Sequence, residues 1–103
     1  MIMNRSIEDL IGEWESLVDE LSDKEVKLTK LKELYNGNEF DIVYKSDIDF
    51  KGLYGSTSEK VRKQHARDML SDLNDEITGL ELGINWIKHY IPLLREVIRT
   101  KGE

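Results

Sequence analysis

Between Leu70 and Ile98 the chain reads LSDLNDEITGLELGINWIKHYIPLLREVI, and this stretch decides the fold. Leu70, Leu73, Ile77, Leu80, Ile84, Ile87, Ile91, Leu94 and Ile98 recur at alternating intervals of three and four residues. That is the a/d repeat of a coiled-coil seam, sustained over four heptads. Met69, Trp86, Tyr90, Leu93 and Val97 widen the apolar face beyond a two-helix seam, so a bundle of more helices is expected. Pro92 falls inside the repeat and removes one helical hydrogen bond, which predicts a kink or break near Lys88 to Ile91. Gly79 and Gly83 stand four apart, either to admit another helix closely or as a tolerated exposed pair.

Upstream of the repeat, Ser56, Thr57 and Ser58 are candidate N-caps, with Glu59 in the first turn. The helix is therefore expected over 57–91, with a kinked extension over 92–101. A second long stripe lies near the N-terminus. Ser6 is its candidate N-cap, and Ile7, Leu10, Ile11, Trp14, Leu17, Val18, Leu21, Leu28, Leu31 and Tyr35 follow at helical spacing. Asn36-Gly37-Asn38 reads as a C-cap, which predicts a helix over 6–35, roughly 45 Å long at ~1.5 Å per residue. In the insert 36–55, Phe40, Ile42 and Tyr44, then Ile48 and Phe50, alternate with polar residues around Lys45-Ser46-Asp47. This predicts a short β-hairpin, or an irregular loop that lays its aromatics over the helices.

The expected fold is all-α: a single domain over 1–103, formed as a long antiparallel helical hairpin with a short insert. Two amphipathic helices leave part of each stripe in water, so a homodimer or higher oligomer in a helical bundle is the simplest completion. The candidate interface is the heptad stripe from Leu70 to Ile98 together with Trp14 and Trp86.

Composition narrows the functional classes. The 103 residues carry 35% charged side chains and a net charge of −6, a poor balance for bulk nucleic-acid binding. There is no cysteine, hence no disulfide, thiolate metal site or thiol nucleophile. No apolar run approaches the ~20 residues that span a bilayer, and Met1 to Ser6 lacks a signal-peptide pattern, which together suggest a cytoplasmic protein with no membrane partner. Phosphate loops, His-Glu-x-x-His, EF-hand and Gly-x-Ser-x-Gly patterns are all missing. His65 and His89 lie far apart, and the run Asp68, Asp72, Asp75, Glu76 has no histidine at ligand spacing. No catalytic residue, metal or cofactor is expected.

Charge is segregated along the chain. Glu8, Asp9, Glu13, Glu15, Asp19, Glu20 and Asp23 form an acidic stretch without a basic residue. Such a face can occupy a nucleic-acid groove on another protein, or simply solvate its helix. Lys60, Arg62, Lys63 and Arg67, with Tyr54 nearby, form a candidate nucleotide or single-strand site, unless these bases merely pair with neighbouring acids.

Asp49-Phe50-Lys51, Leu53-Tyr54-Gly55, Val61-Arg62-Lys63 and His65 lead into a Leu/Ile helix carrying Trp86-Ile87-Lys88. Over residues 47–99 this resembles small proteins encoded in the early regions of phages and prophages of Gram-positive bacteria. The resemblance implies a cytoplasmic accessory protein of phage DNA metabolism, or a stoichiometric inhibitor of host defence. It supplies no catalytic residues.

Overall fold

A computed structural model describes residues 5–102. Met1 to Asn4, the part of the N-terminal stretch read above for a signal peptide, lie outside the described residues. In chain order the elements are α1 (Ile7–Phe40), a π-helical turn (Asp41–Lys45), α2 (Phe50–Tyr54), α3 (Glu59–Met69) and α4 (Ser71–Gly102). The all-α expectation holds, and no strand occurs among the described residues.

The first correction concerns the end of α1. The helix passes through Asn36-Gly37-Asn38 and ends at Phe40. Gly37 has no positive φ, so the left-handed cap does not form. One Gly and two Asn cost a helix roughly 2 kcal/mol relative to Ala. Continuing the chain delivers Val43, which is fully buried, and burial of such a side chain is worth about 1.5–3 kcal/mol. Tyr35 and Ile42 stand seven apart, so the stripe itself crosses the Asn-Gly-Asn segment.

The second correction concerns the expected β-hairpin. Phe40, Ile42 and Tyr44 satisfy period two, but Phe40 and Tyr44 are also i,i+4 neighbours, and their rings meet at 5.0 Å. The backbone follows the helical alternative into the π-helical turn, where the Ser46 hydroxyl donates to the Ile42 carbonyl at 2.6 Å. Ser46 is extended, and α2 then starts at Phe50 with Asp49 accepting from the Gly52 amide at 2.9 Å. Gly55 closes α2 at φ 71°, a conformation that side-chain-bearing residues resist.

The third correction concerns the second helix, which is two. Ser58 caps α3, accepting from the Val61 amide, and Leu70 interrupts at φ −101°, ψ 16° before α4 begins. Ser71, Asp72 and Asn74 are weak in helix interiors and favoured in first turns, so a new start there costs little. α4 then runs through Pro92 without the expected interruption. Pro92 and Lys88, whose carbonyl loses its donor, are both exposed, so water can replace the missing hydrogen bond. Buried Ile87 and Leu94 on either side hold the helix.

Packing divides the chain into two compact units, Met1–Leu28 with Gly79–Glu103, and Thr29–Thr78. In the first, α1 and α4 lie antiparallel. Glu13 accepts from the Tyr90 hydroxyl at 3.2 Å, and further along α1 Glu25 pairs with Lys88 at 3.5 Å. Leu10, Ile84, Ile87 and Leu94 are its buried residues. In the second unit Val43, Phe50, Ala66 and Ile77 are buried.

Candidate interaction surfaces

The basic cluster is split by the fold. Arg62 turns inward: its Nε donates to the Thr57 carbonyl and its Nη1 to the Val43 carbonyl, both at 2.9 Å. Its guanidinium carbon also lies over the buried Phe50 ring, 5.0 Å from the ring centre. Arg62 thus fastens the π-helical turn to α3. Lys63 pairs with Glu59 at 3.1 Å, and the Tyr44 hydroxyl donates to the same carboxylate at 2.7 Å. The hydrogen bond from Tyr44 comes first, then that from Lys63, in holding the Glu59 carboxyl below its ordinary value. The bond to Glu59 raises both Tyr44 and Lys63. Tyr54 bonds to Nδ1 of His65, whose ring stands edge-on to Phe50 at 5.4 Å. What remains facing outward is Lys60, Gln64 and Arg67, with the Lys63–Glu59 pair, all on one side of α3. A single helix supplies this surface, so it is a face and encloses nothing.

The acidic stretch keeps its coherence. Glu8, Asp9, Glu15, Asp19, Glu20 and Asp23 are all exposed, on the side of α1 away from buried Leu10 and half-buried Leu17, Leu21 and Leu28. Glu13 does not share that face. It is half-buried, in contact with Arg5 and Tyr90. Asp19, Glu20 and Asp23 border a shallow trough with Ser16, Lys24, Lys27 and Leu80, in which Lys24 pairs with Glu20 at 3.6 Å.

The heptad stripe, which runs from the end of α3 along α4, is largely consumed within the chain. Ile77, Ile84, Ile87 and Leu94 are buried, and Leu70, Leu73, Leu80, Ile91 and Ile98 are half-buried. Trp14 is half-buried and its indole Nε1 is the one enclosed side-chain polar atom without a hydrogen-bond partner among the described residues. It lines a small apolar notch with Ile11, Arg95 and Ile98.

A different face of α4 is apolar and open. Leu82 is 66% exposed, Trp86 59% and Leu93 65%. Single exposed leucines are ordinary, but three large side chains in line along one helix are a patch. Trp86 stacks on Tyr90 at 4.9 Å with the rings 11° apart, and Tyr90 is itself tied to Glu13. Sequence reading placed Trp86 and Leu93 on a widened heptad stripe and passed over Leu82. The signal was there: Leu82, Trp86, Leu93 and Val97 recur at intervals of four, seven and four.

Gly79 has nothing within 4 Å of where a Cβ would stand, and Gly83 meets only the tip of Lys24 at 4.0 Å, so no close helix approach within the chain requires this pair. Among the described residues there is no cluster of three or more potential metal ligands, and no helix is long and apolar enough to cross a membrane. Comparison with protein-family models, with curated proteins and with solved structures finds no match.

Proposed function

We propose that this protein is a non-enzymatic accessory protein of phage type, acting by stoichiometric binding to another protein through the acidic face of α1. The observation that carries this reading is the exposed set Glu8, Asp9, Glu15, Asp19, Glu20 and Asp23 on one continuous helix. Fixed charges on a preorganised scaffold attract a basic groove and lose little conformational entropy on docking. Such a groove belongs to a protein that handles nucleic acid, so the partner is a host defence or nucleic-acid-processing protein, which this protein inhibits by occupying that groove. The resemblance of residues 47–99 to phage early-region proteins points the same way.

The alternative, a nucleotide or single-strand module centred on Lys60, Arg62, Lys63 and Arg67, loses support from the inward use of Arg62 and the pairing of Lys63. The test is capture from host lysate, comparing the native chain with the Asp19→Lys/Glu20→Lys/Asp23→Lys variant at equal helicity. The expected result is a nucleic-acid-binding protein retained by the native chain, released by salt and by added DNA, and missed by the variant. Equal capture of that protein by both forms would sink the proposal.

A further inference from the structure

Within the first unit, Ile11 and Trp14 of α1 and Arg95 and Ile98 of α4 enclose the apolar notch described above. Its volume is about 330 Å³, at the lower end of the roughly 300–1,000 Å³ range of small-molecule sites. Two of its four residues carry polar groups that nothing among the described residues satisfies. The Trp14 indole Nε1 is shut off from solvent and has no acceptor. Enclosed donors are nearly always paired, with protein or with a bound group, because the hydration lost on burial is not otherwise recovered. Arg95 makes no hydrogen bond or ion pair among the described residues, whereas Arg99 one turn on is held by Glu96. A free surface arginine is ordinary by itself. This one borders apolar walls and an unpaired indole N–H, and no acid lines the notch.

The combination selects a kind of ligand. A neutral apolar body would cover Ile11, Trp14 and Ile98 and leave both donors as they are. A bare anion would meet the donors and leave the walls wet. An acid on a small apolar body does both, and a guanidinium receives a carboxylate through two parallel bonds. Arg95 is exposed and unheld, so it can turn to admit a carboxylate oxygen to the indole N–H, which is closed off in the empty notch.

From these observations we propose that the notch is a binding site for a small apolar carboxylate. Its body lies between Ile11, Trp14 and Ile98, its charge sits on Arg95, and the Trp14 indole N–H is the second donor. None of the acidic residues assigned to partner binding lines the notch, so the site does not rest on the function proposed above. A ligand of about a dozen non-hydrogen atoms on so small a surface binds in the millimolar to sub-millimolar range.

Titration of the full chain with 4-phenylbutyrate, followed by proton–nitrogen NMR, tests this. The chain has two tryptophans, so two indole N–H signals are read, and Trp86→Phe assigns them. The Trp14 signal should move downfield and saturate, as an N–H does on gaining an acceptor, while that of Trp86 stays in place. The uncharged 4-phenylbutanamide should bind about fivefold or more weakly. Arg95→Gln, an exposed change made at unchanged helicity, should weaken the carboxylate by a similar factor and leave the amide as it was. No saturable shift of Trp14 at the solubility limit of the probe would overturn the proposal, whether the notch is closed or is filled by another part of the chain or a second copy. So would equal binding of acid and amide, or acid binding untouched by Arg95→Gln, since either would make the notch an apolar crevice with no preference for an anion.

Discussion

Arg62 shows why a residue's type and position in the chain did not reveal its role. Four basic residues within eight positions read as a charged surface, and three of them are. Arg62 differs because a five-donor fork satisfies two carbonyls and sits over the Phe50 ring at once, an arrangement that depends on where the turn at Val43 lands. Arg62→Ala should destabilise the protein by about 2 kcal/mol in chemical denaturation, since charge-assisted bonds to two carbonyls are lost. Arg62→Lys should restore less than half of this. A variant used to probe anion binding should therefore change Lys60 and Arg67 and spare Arg62. The Tyr44–Glu59–Lys63 group also sets a pH dependence. Glu59 is held below its ordinary 4.5, so its contribution is present above that value and lost as pH falls through the lower one. Tyr44 and Lys63 are raised from 10.0 and 10.5, so theirs is present below those values and lost as pH rises through the higher ones. The window of full contribution is therefore pH 4.5 to 10.0. In Tyr44→Phe the largest cause of the Glu59 shift is gone, and its carboxyl titration, followed by NMR, should move up towards the ordinary value. A titration unchanged from the native one would contradict the Tyr44–Glu59 bond.

At the scale of elements, the two apolar stripes were legible because a three-four repeat sustained over many turns matches the period of a helix and not that of a strand. The helix ends were not. Asn-Gly-Asn is a strong stop signal locally, yet it lost to the burial of Val43 beyond it, a contact with α3 that no window around residue 37 contains. Gly37→Ala separates the two outcomes. Within a continuing helix, with nothing within 4 Å of the new Cβ, it should stabilise by about 1 kcal/mol. At a left-handed cap it would destabilise by a similar amount. Gly55, which does have a positive φ, supplies the contrast: Gly55→Ala should lower stability by about 1 kcal/mol. Thermal or urea unfolding of both variants checks the pair. The aromatics of residues 40–54 misled because i,i+2 and i,i+4 spacings coexist in the same five residues, and only the tertiary fold chooses between them.

Across the molecule, the sequence located its surfaces by charge better than by hydrophobicity. Six of seven acidic residues sit on one exposed face, because a charged residue on an amphipathic helix has only one inexpensive side to occupy. The apolar residues had two destinations. The stripe from Leu73 to Ile98 and the exposed Leu82, Trp86 and Leu93 share α4, and only the position of α1 decides which is inside. The central structural claim is that α1 and α4 are uninterrupted helices, and the acidic face of α1 and the open face of α4 both depend on that continuity. A break at Gly37 would detach the end of α1, and one at Pro92 would take Leu93 and Val97 out of line with Leu82 and Trp86. Backbone chemical shifts of the full chain measure this directly. The account predicts helical shifts without a gap from Ile7 to Phe40 and from Ser71 to Gly102, including Asn36 to Asn38 and the residues flanking Pro92. Coil-like shifts at either place would contradict it.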